Sequence, residues 1–305
     1  MKTKIGMVTM DDTLYPGEDF YSDGEIEDVL LDIVSNNPES EYNRIIVEKR
    51  NWAVMYHLSH VRENIVSWLP IGENETVLEI GSGCGAVTGA LARKAKKVTC
   101  IELSKRRSLI NANRHKDMDN IEILLGNFET VEASLTEKYD WITLIGVLEY
   151  GGSYIQALEP YKTFLQTIEK HLAPNGKIVV AIENKMGMKY WAGAKEDHIA
   201  KYYGGIEGYE NVDYVRTFSK PELEKLVADA GFSKCTYYYP YPDYKLPTVI
   251  YSDDFLPSPG DLDNNLRNFD NERMLTFDES KAYDSVIRDG MFPYYSNSFE
   301  LILER

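Results

Sequence analysis

The sequence predicts an α/β protein, with helices on both faces of a mostly parallel β-sheet. Two observations lead to that prediction: short apolar runs alternate with segments of helical spacing, and a glycine-rich turn follows the first run. Because helices separate successive strands, the crossovers should be right-handed and the strands parallel. The candidate strands occupy residues 76–80, 98–102, 121–124, 140–146 and 177–182.

Composition and charge limit the possible classes of function. The chain has 305 residues, of which 43% are hydrophobic, and a formal net charge of −16. A net negative protein is repelled by phosphate backbones, so nucleic acid is disfavoured as a partner. Three cysteines without metal-ligand spacing, no signal peptide and no run of membrane-spanning length predict a soluble, cytoplasmic protein. The sequence leaves the oligomeric state open.

Residues 1–75 form a predicted N-terminal region that precedes the alternating pattern. This region begins as an acidic segment, in which "GEIEDVLLDIV" has the apolar spacing of a helix. A second helical pattern runs from Asn43 to Leu69 and ends at Pro70 and Gly72. We expect these helices to form a cover over the ligand end of the sheet.

The C-terminal half contains a helix, two further strands and two predicted insertions. The helix lies in "TFSKPELEKLVADAGF", with Ser219 as cap, Pro221 in the first turn and Gly231 at the end. The strands are the tyrosine-rich "CTYYYPYP" and the alternating "SNSFELILER". The insertions are residues 184–215 and 243–292, which should also pack over the ligand end of the sheet.

The turn "EIGSGCGA" after the first strand is the strongest functional signal. Gly81, Gly83 and Ala86 satisfy the G-x-G-x-x-G/A pattern of dinucleotide sites, so the glycines alone leave NAD open. Glu79 would repel a pyrophosphate, but it would stabilise the sulfonium and ammonium groups of S-adenosylmethionine. Charge therefore favours S-adenosylmethionine over NAD.

The second strand ends in "CIE", which places an acid 23 positions after Glu79. A carboxylate at that end of a strand can accept hydrogen bonds from both hydroxyls of a ribose. By itself, Glu102 would be interpreted as a solvent-facing glutamate. In combination with the glycine turn, the ribose role is favoured.

As an ordered series, these motifs resemble those of the class I S-adenosylmethionine-dependent methyltransferases. The matching stretches are "VLEIGSGCG", "VTCIELS", "LLGNFET", "YDWITLIGVLEY" and "LAPNGKIVVAIEN", which span Thr76 to Asn184. The resemblance implies a Rossmann-like sheet of seven strands with the last strand antiparallel, in a methyltransferase domain over residues 76–305. Residues 183–198, "GIEGY", "VRTFS" and "YPDYKLPTVIYSD" are also similar to methyltransferases associated with bacterial surface-polysaccharide biosynthesis.

The resemblance also implies which residues hold the cofactor. They are Glu79, Gly81, Ser82, Gly83, Gly85, Glu102, Leu103, Asn127, Phe128, Gly146 and Val147. Glu79, Gly81, Ser82, Gly83 and Gly85 are assigned to the methionine side, and Glu102 to the ribose. Leu103, Asn127 and Phe128 are assigned to adenine, and Gly146 and Val147 to the methionine tail. At Asn127 an aspartate is more common, yet an amide can hydrogen-bond adenine through either end.

Methyl transfer from a sulfonium is an in-line displacement, so the protein mainly aligns the acceptor and excludes water. A hydroxyl acceptor also benefits from a base. His198 is the candidate base because it follows the fifth strand, at the end where acceptors bind; the alternative is a surface role on a loop. His57, His60, His115 and His171 are interpreted as packed or surface residues.

Glu149 and Tyr150, directly after the fourth strand, are the other candidates for contact with the acceptor. Their alternative roles are a helix-start acid and a packing ring. "MKYWAG" at 188–193 is a candidate wall of the acceptor site, whereas "YYYPYPDY" favours a half-buried strand. The acidic residues and histidines have no compact metal-ligand spacing, so no metal is expected.

The predicted function is S-adenosylmethionine-dependent methylation of an oxygen or nitrogen on a small molecule or saccharide intermediate. Two alternatives stay open. An NAD-linked sugar oxidoreductase is disfavoured by Glu79 and by the lack of a Tyr-x-x-x-Lys pair in a matching place. A non-catalytic partner protein that keeps the cofactor pocket would bind the cofactor without turnover.

Overall fold

The computed structural model describes residues 1–19, 22–265 and 273–305. The predictions of an N-terminal region and of an insertion at 243–292 also cover residues 20–21 and 266–272, which lie outside the described residues. The chain divides into two compact units. The first contains Met1–Ile145 and Ile168–Ile178, and the second contains Gly146–Thr167 and Val179–Arg305.

The described residues form strands and mostly short helices. The strands are β1 (Lys2–Ile5), β2 (Val8–Leu14), β3 (Thr76–Ile80), β4 (Lys97–Glu102), β5 (Ile121–Gly126), β6 (Tyr139–Ile145), β7 (Leu172–Glu183), β8 (Lys234–Tyr241), β9 (Val249–Ser252) and β10 (Ser298–Glu304). The helices are α1 (Ile26–Asn36), α2 (Tyr42–Lys49), α3 (Trp52–Leu58), α4 (Asn64–Ser67), α5 (Thr88–Ala92), α6 (Lys105–Arg114), α7 (Phe128–Glu132), α8 (Gly151–Tyr154), α9 (Pro160–Glu169), α10 (Met188–Trp191), α11 (Lys220–Ala230), α12 (Glu279–Arg288) and α13 (Phe292–Tyr295). Short 3-10 helices lie at Glu39–Glu41, His60–Glu63 and Leu148–Tyr150. Within the described ranges, none of the helices is long and apolar enough to cross a membrane.

The first unit is built on parallel strands. Its strand order is β1-β2-β5-β4-β3-β6, followed by the part of β7 up to residue 178. The pairs β2–β5, β5–β4, β4–β3 and β3–β6 are parallel, whereas β1 pairs with β2 in antiparallel orientation. The predicted α/β architecture with a mostly parallel sheet is confirmed. In this register Glu79 lies opposite Cys100 on β4 and Thr143 on β6.

The second unit contains the rest of β7, then β10, β8 and β9 in that order. β10 is antiparallel to β8, and β8 is antiparallel to β9. Helix α11 begins and ends at the residues that the sequence indicated. The Glu222 carboxylate accepts the N–H of Ser219 at 2.8 Å, and Gly231 ends the helix with a φ of 100°.

The prediction of seven strands is wrong, because the described residues form ten. The N-terminal hairpin adds β1 and β2, which turn at Gly6 with a φ of 59°, and β2 pairs with β5. β9 lies in the predicted insertion 243–292 and pairs with β8. An edge strand offers unpaired N–H and C=O groups to any extended segment that reaches it, so such additions need no motif in the sequence.

The helical pattern over residues 43–69 is divided into the short helices α2, α3 and α4. Arg50 adopts a left-handed φ of 47° after α2, and Asn51 caps α3 by accepting the N–H of Val54 at 3.2 Å. Ser59 is extended after α3 and accepts the N–H of Val61 at 3.3 Å. Polar side chains that bond to nearby backbone groups compete with the helix, which explains why one apolar pattern gives several helices.

The N-terminal helices pack against α6 and the glycine turn within the first unit. Their buried apolar cluster consists of Leu30, Ile33, Val34, Tyr42, Ile45, Val54, Leu58, Cys84 and Ile110. Asp19 caps α6 by accepting the N–H of Lys105 at 2.6 Å and that of Arg106 at 3.2 Å. An anion at a helix N-terminus is stabilising. The N-terminal segment therefore holds the helix that follows Glu102.

Candidate functional site

The glycine turn after β3 has three residues with left-handed backbone angles. Gly81, Gly83 and Gly85 have φ values of 71°, 52° and 76°, which residues with a Cβ rarely adopt. The N–H groups of Gly81 and Ser82 both donate to the carbonyl of Ile101, at 2.9 and 3.3 Å, which fixes the turn to the end of β4. A Cβ at Gly83 would meet no described atom within 4 Å, so the described residues leave space for a ligand beside the turn.

Gly85 faces packed side chains instead of open space. A Cβ there would overlap the amide of Asn111, at 2.7 Å from its Cγ. Because left-handed strain and the clash add, we expect Gly85→Ala to lower the free energy of unfolding by at least about 2 kcal/mol. Urea denaturation measures this loss.

Gly24→Ala is the matched control for Gly85→Ala. Gly24 also has a left-handed φ, of 81°, but no described atom lies within 4 Å of its Cβ position. The free energy of unfolding of Gly24→Ala should fall by only about 1 to 2 kcal/mol, because this variant has backbone strain without a clash. Equal losses in the two variants would contradict the packing role of Gly85.

Glu79 is buried below the turn and faces β4 and α5. Its Oε2 accepts from Thr88 Oγ1 at 2.7 Å and from Cys100 Sγ at 3.4 Å, and the residue is 3% exposed. Burial raises the pKa of Glu79 to about 7, hydrogen bonds from Thr88 and Cys100 partly oppose that rise, and the charge of Glu102 adds to it. Glu79 therefore changes charge near neutral pH.

The raised pKa of Glu79 predicts that stability falls as the pH rises. The folded state, with a pKa of about 7 against the usual 4.5, keeps the proton longer than the unfolded state. Stability from this group is therefore fully present below pH 4.5 and is lost as the pH rises to about 7. The loss should be about 3 kcal/mol. Glu79→Gln should remove this component from the free energy of unfolding measured across that pH range; the same pH dependence in both proteins would refute the assignment.

Glu102 accepts backbone hydrogen bonds through both carboxylate oxygens. Oε2 accepts the N–H of Gly83 at 2.7 Å, and Oε1 accepts the N–H of Ser104 at 2.9 Å. Burial raises the pKa of Glu102, while these N–H groups and the charge of Arg107 act against that rise. The structure thus brings the glycine turn and the acid at the end of β4 together. Each oxygen has a further lone pair, so Glu102 can still accept hydrogen bonds from two hydroxyls.

The three residues predicted to contact adenine also lie in the first unit. Leu103 follows β4 and is half-buried. Asn127 caps α7, because its Oδ1 accepts the N–H of Glu129 at 3.0 Å. Phe128 begins α7 and is 9% exposed. Because the side-chain carbonyl of Asn127 accepts this capping hydrogen bond, the side-chain NH₂ is the end that can donate to an adenine nitrogen.

The two residues predicted at the methionine tail lie in the second unit. Gly146 has a φ of 71°, and a Cβ there would lie 2.7 Å from Tyr244 Oη and 3.5 Å from Glu149 Oε1. Val147 precedes the 3-10 helix that carries Glu149 and Tyr150. Gly146 therefore lies beside a predicted catalytic residue at a position where a larger side chain would not fit.

The second unit contains a buried group of three glutamates and a histidine, which we name the His198 cluster: Glu149, Glu183, Glu196 and His198. His198 Nδ1 lies 2.9 Å from Glu196 Oε1. His198 Nε2 lies 3.7 Å from Glu149 Oε1 and 3.8 Å from Glu183 Oε2. The three carboxylate side chains are at most 1% exposed, and that of His198 is 8% exposed. The cluster brings two predicted catalytic residues, Glu149 and His198, into one place.

The carboxylates determine the charge of the imidazole. Burial would lower the pKa of His198, but Glu183, Glu149 and Glu196 together raise it well above its usual value of 6.5. Burial raises the pKa of Glu149. With the protein groups alone, the carboxylates favour the protonated form of His198, which can donate a proton but cannot accept one. A carboxylate of the cluster in its ionised form could accept a proton.

Tyr150, the third predicted catalytic residue, packs edge-on against His198. Their ring centroids are 5.5 Å apart, with an interplanar angle of 79°. This is a common geometry for aromatic pairs. All three predicted catalytic residues are therefore neighbours.

Sequence reasoning missed three residues at this site. Glu196 stands two positions before His198 in "KEDH", a local signal that could have indicated it. Glu183 ends β7, and Lys245 contacts Glu183 Oε1 and lies 3.0 Å from Asp197 Oδ1. Glu183 and Lys245 are distant from His198 in the chain, so their spacing does not indicate that they lie near it.

Three other histidines lie in the first unit and make ordinary packing contacts. His57 Nε2 lies 3.4 Å from Asp23 Oδ2, and His171 Nε2 lies 2.7 Å from Glu132 Oε1. Burial lowers the pKa of His115 to about 3, so it is uncharged. These contacts are those of packed side chains.

A protein-family model described as a methyltransferase domain matches residues 53–236, which is more than half of the chain. The matched range includes the glycine turn, β4 and every member of the His198 cluster.

The chain is also similar to curated proteins over shorter stretches. It is 31% identical over 86 residues to the ribosomal RNA small subunit methyltransferase A of Borrelia garinii subsp. bavariensis, covering 28% of this chain and 31% of that protein. It is 24% identical over 155 residues to the ubiquinone biosynthesis O-methyltransferase of Rickettsia akari, covering 50% and 57%. The chain thus spans less than two thirds of the length of these relatives. Among solved structures, it is similar to a methyltransferase from Archaeoglobus fulgidus with a TM-score of 0.49 and 10% identity, over 80% of this chain and 93% of that one.

Proposed function

We propose the reaction of this chain, which belongs to the methyltransferase domain family. The proposed reaction transfers a methyl group from S-adenosylmethionine to an oxygen or nitrogen of a small molecule or saccharide intermediate. Membership confirms the resemblance to class I enzymes, the prediction of a methyltransferase and the prediction of S-adenosylmethionine as cofactor. The acceptor, the cytoplasmic location and the roles of individual residues are part of the proposal.

The first unit supports cofactor binding at the glycine turn. The space beside Gly83 allows a ligand to approach the backbone, and Glu102 is held by two N–H groups with lone pairs left for a ribose. A cationic ligand would favour the charged form of the buried Glu79. When bound, S-adenosylmethionine supplies an activated methyl group on sulfur.

The His198 cluster is the observation that supports the acceptor. Glu149 Oε2 and Glu183 Oε2 are buried and have no hydrogen-bond partner among the described residues. An O–H or N–H group of an acceptor could donate to them. Such an acceptor loses a proton when it is methylated, and a carboxylate can receive that proton. The cluster therefore supports oxygen or nitrogen as the methylated atom.

The charge of the protein supports a small acceptor. With a net charge of −16, the chain repels the phosphates of a long nucleic acid. The Borrelia relative is named a ribosomal RNA methyltransferase, but it shares only a short stretch with this chain. The resemblance of residues 183–198 to methyltransferases associated with surface-polysaccharide biosynthesis, which is an expectation from the sequence, supports a saccharide.

The test is a panel of acceptors with detection of S-adenosylhomocysteine. The protein is incubated with S-adenosylmethionine and, separately, with saccharides, sugar nucleotides, small phenols, small amines or ribosomal RNA. We expect turnover with at least one small O–H or N–H acceptor and none with RNA. Turnover with RNA alone would overturn the acceptor proposal, and cofactor binding without turnover on any acceptor would indicate a non-catalytic partner protein. Thermal stabilisation by NAD alone would favour the oxidoreductase alternative.

A further inference from the structure

We propose that Glu149, Glu183 and His198 bind a divalent transition-metal ion such as Zn²⁺ or Mn²⁺. One ligand atom of each residue lies within 4.8 Å of the other two. Glu149 follows β6, Glu183 ends β7 and His198 lies in the predicted insertion 184–215. Because these segments are separate in the sequence, the spacing of the residues gave no indication of a metal site.

The separations within the cluster fit metal ligands better than hydrogen bonds. His198 Nε2 lies 3.7 Å from Glu149 Oε1 and 3.8 Å from Glu183 Oε2. Hydrogen bonds between nitrogen and oxygen are shorter, at about 2.7 to 3.2 Å. Two ligand atoms that each lie about 2.1 Å from one zinc ion are about 3.4 Å apart in tetrahedral geometry. Small side-chain shifts would bring all three atoms to an ion between them.

Two of the proposed ligands have oxygen atoms that lack a partner. Glu149 Oε2 and Glu183 Oε2 accept no hydrogen bond from the residues that the structure describes. Their side chains are 1% and 0% exposed, so bulk water does not satisfy these oxygens. Buried polar atoms are nearly always paired, and an unpaired carboxylate oxygen is costly. A cation held by Glu183 Oε2 and by both oxygens of Glu149 would satisfy these atoms.

Glu196 holds the imidazole in the orientation that a metal site needs. Its Oε1 accepts from His198 Nδ1 and from the Tyr209 hydroxyl, both at 2.9 Å. Its Oε2 accepts the backbone N–H of His198 at 2.7 Å and that of Ile199 at 2.8 Å. Metal-binding histidines commonly donate their second ring nitrogen to a carboxylate in this way, which leaves Nε2 for the ion. Glu196 is therefore a positioning residue, unlike the two carboxylates with unpaired oxygens.

The charge of the cluster also favours a cation. Lys245 contacts Glu183 Oε1 and lies 3.0 Å from Asp197 Oδ1, and the other oxygen of Asp197 lies 2.9 Å from Lys189 Nζ. The other oxygen of Glu183 faces His198. Buried charges persist where they are paired or coordinate a metal. A divalent ion would balance Glu149 and Glu183 and take the place of the Nε2 proton of His198, which is released when the ion binds.

The donor set indicates which ions the site would take. Imidazole suits zinc and iron, and carboxylates also suit manganese, whereas magnesium and calcium prefer oxygen ligands alone. Three protein ligands leave one position open, as in catalytic zinc sites. An acceptor hydroxyl at that position would lose its proton more easily, and His198 would be a metal ligand, not the base that the sequence predicted. This consequence rests on the proposed function, whereas metal binding itself does not.

The experiment measures metal binding to the full chain without cofactor or acceptor. The protein is stripped with a chelator, dialysed and titrated with zinc chloride or manganese chloride by calorimetry, and bound metal is counted by mass spectrometry. We expect one ion per chain. Glu149→Gln, Glu183→Gln and His198→Gln should each weaken binding at least about tenfold, and Glu196→Gln should weaken it about 10- to 100-fold without changing the number of ions.

His171→Gln is the matched control, because His171 also pairs with a glutamate but lies in the first unit. It should bind the ion as the wild type does. Thermal denaturation shows which variants are folded. A wild-type protein that binds no ion, or a folded Glu149→Gln/Glu183→Gln double variant with unchanged affinity, would overturn the site. Metal binding without methyl transfer would support the site and refute the proposed function, so the two failures are distinguishable.

Discussion

Glu149→Gln is expected to lower the kcat of methyl transfer by a factor of about 10² to 10⁴. The amide keeps the shape of the side chain but can no longer receive a proton from the acceptor or balance a cation. The affinity for S-adenosylmethionine should change little, because Gln preserves the space beside Gly146. Release of S-adenosylhomocysteine at saturating cofactor gives kcat, and calorimetry gives the cofactor Kd.

Glu210→Gln is the control for this prediction. Glu210 also lies in the second unit and is exposed, so the same change of charge is made away from the cluster. Its kcat should equal that of the wild type. Unchanged kcat in Glu149→Gln would exclude Glu149 from the reaction, and an equal loss of cofactor affinity would show that its role is in binding the cofactor.

Glu102→Ala is expected to weaken the binding of S-adenosylmethionine by about 100-fold or more. Hydrogen bonds to a charged group contribute about 1.5 to 3 kcal/mol each, and a ribose offers two hydroxyls to the carboxylate. The substitution also leaves the N–H groups of Gly83 and Ser104 without their acceptor, which loosens the turn. Calorimetric titration with S-adenosylmethionine and with S-adenosylhomocysteine measures the loss.

Two further variants separate the ribose contact from general damage. Glu102→Gln keeps one acceptor oxygen and should show an intermediate loss. Glu137→Ala removes a glutamate of the first unit whose side chain is 56% exposed, and it should bind the cofactor normally. Wild-type affinity in a folded Glu102→Ala protein would exclude the ribose role.

Elements that depend on nearby residues could be predicted from the sequence. β3 occupies Thr76–Ile80 as predicted, because an apolar run bounded by a turn is a sufficient signal for a buried strand. Helix α11 lies between Ser219 and Gly231, since caps act through backbone groups within a few residues. The end of β4 at Glu102 was likewise visible in the sequence.

Contacts between distant segments could not be predicted in the same way. The pairing of β2 with β5 joins the N-terminus to the centre of the first unit, and the hairpin itself carries no family motif. The division of residues 43–69 into short helices depends on local bonds of Asn51 and Ser59 that compete with an otherwise continuous apolar pattern. Strand number and helix length were therefore the least predictable parts of the fold.

The sequence by itself was enough to predict the protein class and the cofactor, because a glycine turn with Glu79 before it and Glu102 after it is a short-range pattern. Only the tertiary structure decided that Glu79 titrates near pH 7 and that Glu183 and Glu196 join Glu149 around His198. Burial and Coulomb interactions depend on distance in space and on exclusion of water, neither of which sequence spacing specifies. The arrangement of the His198 cluster therefore follows from packing, whereas the cofactor could be predicted from the chain.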